Sequence, residues 1–107
     1  MPGALKEEET PIDQEIVNEL VELTPEWWKA AVLDVTFSED GGVERYEHVI
    51  SSPEGHKEPV DSSAELLDAT YRLGQVFRRH GRHWKTAKYA IYLKQDNSWK
   101  YTVDFSY

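Results

Sequence analysis

Apolar and aromatic residues occupy every second position on both sides of the polar turn QDNS in residues 86–107, TAKYAIYLKQDNSWKYTVDFSY. Side chains of an extended chain alternate between two faces. Tyr89, Ile91 and Leu93 therefore share a face, as do Trp99, Tyr101, Val103, Phe105 and Tyr107, while Lys88, Lys94, Lys100, Thr102, Asp104 and Ser106 take the opposite one. This predicts a hairpin that is apolar on one side only, with Tyr107 inside its second strand. Such a hairpin requires partner strands and a covering layer, because two strands alone are marginal in water.

The rest of the chain supplies both. Thr10 can cap a helix with Pro11 in its first position, and Ile12, Ile16, Leu20 and Leu23, flanked by Val17 and Val21, form a stripe at helical spacing. LTPEWW ends that helix, since the residue before Pro25 is pushed out of helical backbone space. Ala31, Leu33, Val35 and Phe37 then alternate with polar residues up to the turn SEDGG, and a second β-rich run follows, which predicts another hairpin. SSPEGHKEPVDSS reads as a surface loop. Ser62 with Glu65 forms a candidate capping box for a second helix bearing Leu66, Ala69, Leu73, Val76 and Phe77, which Gly81 stops. Residues 1–10, with Pro2, Gly3 and the run Glu7, Glu8, Glu9, offer little to bury and read as a disordered arm.

The order helix, hairpin, helix, hairpin predicts an α+β fold. It is a two-layer αββαββ sandwich spanning residues 11–107 as one domain, with both helices on the face of a four-stranded antiparallel sheet that carries Leu33, Val35, Ile91 and Val103.

Composition narrows the chemistry. The 107 residues contain no cysteine, which excludes disulfides, thiolate nucleophiles and cysteine-based zinc sites. MPGALKEEETP lacks the charged and apolar regions of a signal peptide, and no stretch has the length of a membrane span, so a cytoplasmic protein with no membrane partner is expected. Net charge is −8, which disfavours phosphate backbones and favours basic partners. Residues 1–68 hold eighteen Asp and Glu against four Lys and Arg, whereas residues 69–107 hold two against eight. Opposite halves can attract within the fold, and equally can present a working surface.

No constellation of catalytic residues is legible, so no enzyme and no cofactor are expected. SEDGG is too short and acidic to cradle a phosphate, and Ser38, Ser51 and Ser52 lack a base or a nucleophile elbow. His48 lies in a strand as a satisfied structural histidine. His80 and His83 in RRHGRHWK have ligand-like spacing, but two imidazoles without a third ligand do not make a zinc site, and they read as the end of a helix where cations suit the dipole. Arg78, Arg79, Arg82, Lys85 and Lys88 beside Trp84 and Tyr89 resemble a small nucleic-acid patch, which the overall charge opposes. Of Trp27, Trp28, Trp84 and Trp99, most belong in a core, and an exposed one beside acids would make an interface anchor.

The amphipathic first helix running into TPEWWKAAVLDVTF, the DGGVERYEHV hairpin, the leucine-bearing second helix and HWKTAKYAIYLKQDNSWKYTVDFSY together resemble the YezG-like immunity proteins of bacteria, from about residue 10 onward. Many members continue where this chain has Tyr107, and nothing such a segment does in them carries over. The resemblance implies a non-enzymatic protein that binds and neutralises a cognate toxin, often a nuclease, by direct contact. It also gives the acids a role, because carboxylates can occupy the basic surface a nuclease keeps for its substrate. The candidate toxin-binding residues are Glu39 and Asp40 in the hairpin turn, Glu44 beside it, and Glu54 and Glu58 in the long loop, with no metal. The alternative function is a small nucleic-acid-associated or regulatory module using residues 78–88.

Overall fold

Glycines with positive φ set the first hairpin. Gly41 (φ 58°) and Gly42 (φ 83°) form a two-residue turn between β1 (Ala30–Asp40) and β2 (Val43–Ser51), a geometry whose twist matches that of the flanking strands. In this computed structural model, which describes residues 2–107, the chain opens with helix α1 (Pro2–Leu23). Helix α2 (Ala64–Arg79) follows β2, and β3 (Thr86–Leu93) and β4 (Trp99–Ser106) complete the chain, joined by a turn in which Asn97 takes φ 66°. All neighbouring strands are antiparallel, in the order β2-β1-β3-β4. Both helices lie on one side of the sheet, and the fold is α+β as the residue pattern predicts.

The register places the apolar alternation. Leu33 lies opposite Ile50 and Tyr89, Tyr89 opposite Val103, and Ala31 opposite Ile91. These side chains meet Ile12, Ile16, Val17 and Leu20 of α1 and Leu66, Ala69, Leu73, Val76 and Phe77 of α2 in one core, closed by the buried Trp28 and Trp84. Thr24 ends α1, its hydroxyl donating to the Leu20 carbonyl at 3.0 Å. Trp27, by contrast, is 57% exposed.

Three expectations are corrected. Residues 2–10 form the first turns of α1 instead of a disordered arm, and the helix passes through Pro11 instead of starting there. A proline inside a helix removes one hydrogen bond and costs about 3 kcal/mol, so other contacts must hold this segment. Leu5 packs against the core, Thr10 donates to the Lys6 carbonyl at 2.8 Å, and Glu8 reaches Arg79 and His80 at the far end of α2. The α2 cap is Ser63 instead of Ser62, its hydroxyl oxygen accepting from the Leu66 N–H at 3.0 Å. Tyr107 lies just outside β4, half-exposed, with the Arg82 guanidinium 4.2 Å from its ring centre.

Candidate functional site

The five candidate acids fall into two groups at opposite ends of the first hairpin. Glu39, Asp40 and Glu44 surround the Gly41–Gly42 turn, whereas Glu54 and Glu58 sit on the loop beyond β2, beside the start of β1. The nine residues of extended β2 separate the ends, about 30 Å at 3.3 Å per residue. They form no single surface.

At the turn, Glu39 and Glu44 are cross-strand partners, a like-charge pair that would repel. Arg78, from the last turn of α2, resolves this. Its guanidinium contacts Glu44 at 2.5 Å and Glu39 at 3.9 Å. Arg79 and His80 reach Glu8 of α1 in the same way, at 3.4 and 2.5 Å, and the hydrogen bond from His80 leads the interactions that lower the Glu8 pKa. Arg72 bridges Glu15 and Asp68 at 2.7 and 2.8 Å. The basic second half of the chain is thus laced to the acidic first half. Of the turn acids, Asp40 is exposed and makes no ion pair among the described residues.

At the other end the loop is built around Trp27. Its indole N–H donates to Glu58 at 2.8 Å, while Glu54 accepts the Lys29 backbone N–H at 2.9 Å. Hydrogen bonds from its own backbone N–H and from Trp27 hold the Glu58 carboxyl below its ordinary pKa, so it is ionised at neutral pH. Ser52 gathers the Glu54 and His56 N–H groups, and His56 stacks on Trp28 at 5.7 Å. The result is an exposed indole, fixed in orientation, with the carboxylates of Glu26, Glu54 and Glu58 close to it in sequence or contact.

The histidines are structural. His83 stacks on Phe37 at 3.7 Å, donates from Nδ1 to the Trp84 carbonyl at 2.6 Å and accepts at Nε2 from the Tyr46 hydroxyl at 3.1 Å. Burial lowers its pKa, so it is neutral with both nitrogens engaged. Gly74 makes room for this pair, since a Cβ there would lie 2.6 Å from His83 Nε2 and collide with the Tyr46 hydroxyl. His48 donates to Thr70 Oγ1 at 2.8 Å, and Thr70 in turn donates to the Leu67 carbonyl. His80 and His83 face different neighbours. Among the described residues no three His, Cys, Asp or Glu side chains converge as a metal site.

One polar cluster has no counterpart among the residues singled out from the sequence. Glu9 and Asp13, one turn apart on α1, are both buried, and the Tyr89 hydroxyl donates to Asp13 Oδ1 at 2.5 Å. Lys6 lies 3.8 Å from Glu9 Oε2. Burial, reinforced by the neighbouring Glu9, pushes the Asp13 pKa up to about 8, and burial with the adjacent carboxyl raises that of Tyr89. Asp13 is therefore largely protonated at neutral pH. Glu9, Asp13 and Tyr89 are closed to solvent, and the hydrogen bond between Asp13 and Tyr89 ties α1 to β3 in the core. The Glu9, Asp13, Ile16, Leu20 spacing, which places two acids on the apolar face, was the signal available for this cluster.

No protein-family model matches the chain, and no match is found among curated proteins.

Proposed function

We propose that the protein works by binding, as an immunity protein that neutralises a cognate toxin through direct contact in the bacterial cytoplasm, without catalysis or cofactor. A nuclease-type toxin is the class its charge suits best. The observation that carries this reading is Trp27, a large ring left 57% exposed, whose indole N–H is hydrogen-bonded to Glu58 in an acidic setting. A pre-positioned aromatic loses little entropy on docking and anchors an interface, while surrounding carboxylates steer a basic partner. Asp40 and Glu39 at the opposite end add to that steering. No helix among the described residues is long and apolar enough to cross a membrane.

The nucleic-acid alternative loses support from the same geometry. Arg78 is committed to Glu44 and Glu39, and Arg79 and His80 to Glu8, which leaves Arg82, Lys85 and Lys88 to contact phosphates against a net charge of −8.

The test is growth rescue. The protein is co-expressed with nuclease-type toxin domains as candidate partners, as wild type and as Trp27→Ala and Asp40→Lys. Wild type is expected to rescue, Trp27→Ala to weaken the complex at least about tenfold through faster dissociation, and Asp40→Lys to slow association. Tight, salt-sensitive binding of nucleic acid by the wild type, with no rescue, would replace this reading by the alternative.

A further inference from the structure

The two edges of the sheet are finished differently. On β2, the inward side chains Glu44, Tyr46 and His48 are tied to Arg78, His83 and Thr70, so that edge is closed by polar contacts from α2 and the segment after it. On β4, the inward side chains are Trp99, Tyr101, Val103 and Phe105, all only partly covered. The helix layer stops short of them. Two adjoining grooves, of about 360 and 440 Å³, run between α1 and this edge, walled by Val17, Val21, Glu22, Trp99 and Tyr101. An edge strand with unpaired backbone groups above an unfinished apolar face is a surface on which another strand can add.

The outward residues of β4 say which strand. Along the open face, Asp34 lies opposite Lys88 and Lys88 opposite Asp104, a row of alternating charge that runs out at the β4 edge. Lys100 lies opposite Tyr92 and makes no ion pair among the described residues. We propose that β4 pairs antiparallel with β4 of a second copy of this chain, about a two-fold axis through Thr102, joining the two sheets into one of eight strands. This inference is independent of the toxin-binding reading.

That register is singled out by charge and by face. With Thr102 opposite Thr102 of the second copy, Lys100 meets Asp104 of the second copy twice over, and the charge row continues as Asp34, Lys88, Asp104, Lys100. On the covered face Trp99 meets Phe105, and Tyr101 meets Val103. A shift of the axis to Lys100 or Asp104 sets like charges opposite each other, an axis through Tyr101 or Val103 keeps the faces but leaves Lys100 and Asp104 opposite uncharged residues, and a one-residue slip of the pairing turns the aromatics to the wrong side. A two-fold axis also requires each patch to be its own complement, which the Lys100 and Asp104 spacing around Thr102 provides. Both copies of α1 then lie on the same side of the joined sheet, flanking the aromatics that one copy alone leaves half-covered.

Sedimentation of the full chain over a wide concentration range at moderate salt, which screens the −8 of each copy, is expected to show a reversible monomer to dimer equilibrium. Lys100→Asp should raise the dimer dissociation constant about tenfold or more, since two cross-strand attractions become repulsions. The exchange Lys100→Asp with Asp104→Lys should restore it. Because the chain has no cysteine, Thr102→Cys gives a register test. Opposed residues lie about 4.5–5.5 Å apart between Cα atoms, within disulfide range, so this variant should cross-link on mild oxidation while Lys100→Cys should not. All these positions are exposed, and circular dichroism checks each fold. A wild type that stays monomeric at every concentration overturns the proposal, as does cross-linking through Lys100→Cys in place of Thr102→Cys.

Discussion

Replacing Asp13 by asparagine should remove most of the loss of stability that the protein shows as pH rises. Asp13 is 1% exposed, receives the Tyr89 hydroxyl and lies beside the equally buried Glu9. Its pKa rises from 3.8 to about 8 in the folded protein. An acid whose folded pKa is raised holds its proton more tightly when folded, so its contribution to stability is fully present below about pH 4 and is lost as pH rises toward 8. Converted at about 1.4 kcal/mol per pH unit, that displacement sets an upper bound of about 5–6 kcal/mol. Lys6 can swing toward the freed charge, so we expect a loss of about 2–3 kcal/mol, a large part of a small domain's stability. Asparagine keeps the shape and the carbonyl that accepts from Tyr89, and its amide can donate to Glu9 Oε2, which accepts no hydrogen bond among the described residues.

The assay is urea unfolding at several pH values between 5 and 9, read by the fluorescence of the buried Trp28 and Trp84. Wild type should weaken as pH rises to about 8, and Asp13→Asn should weaken far less. The histidines act with the opposite sign. Burial lowers the pKa values of His48 and His83, so their contribution is present above pH 6.5 and is lost as pH falls below it, in both proteins alike. The difference between the two proteins therefore isolates the carboxyl. Parallel pH curves for wild type and Asp13→Asn would refute the buried proton.

Three further predictions concern packing. Gly74→Ala gains about 0.5–1 kcal/mol of helix propensity but drives a methyl into the Tyr46 and His83 pair, at an overpacking cost of about 1–3 kcal/mol. The net effect should be a destabilisation of about 1–2 kcal/mol in chemical denaturation, and a stabilised variant would show that the pair is free to move. Phe105→Ala should cost about 2 kcal/mol, because that ring packs on Phe77 at 4.8 Å. Deleting Tyr107 should change stability by no more than about 0.5 kcal/mol, because its ring is half-exposed outside the strand. Equal losses from the two changes would contradict the β4 boundary.

The elements governed by local pattern were legible. Period-two alternation located β1, β3 and β4, β-rich composition after a glycine turn located β2, and the stripes at Ile12, Ile16, Leu20 and at Leu66, Ala69, Leu73, Phe77 located both helices, because burial of one face is what those periods encode. The first turns of α1 were not. Their composition argues for disorder, and what holds them is Glu8 meeting His80 across 72 positions of sequence, a contact no local window contains. Gly74 did carry a signal, since a glycine inside a helical stripe marks a close approach. The partner it admits comes from β2 and the segment after α2, which only the tertiary fold brings together.

The candidate acids fail to form one surface for a related reason. Glu39, Asp40, Glu44, Glu54 and Glu58 span only twenty residues, yet β2 is fully extended between them and carries its two ends about 30 Å apart. Net charge is also a poor guide to free charge. Glu39 and Glu44 are held by Arg78, Glu54 by the Lys29 N–H and Glu58 by Trp27, so four of the five are already engaged within the fold. An engaged carboxylate still projects a field, which suits steering, but it meets a partner's cation only by sharing an existing contact. Specificity must then come from groups the fold leaves unspent, and at the loop end that group is the Trp27 ring. This ranks the two ends. Loss of Trp27 should act on the lifetime of a complex, whereas reversal of Asp40 should act on its rate of formation, and a salt titration should reproduce the second effect without the first.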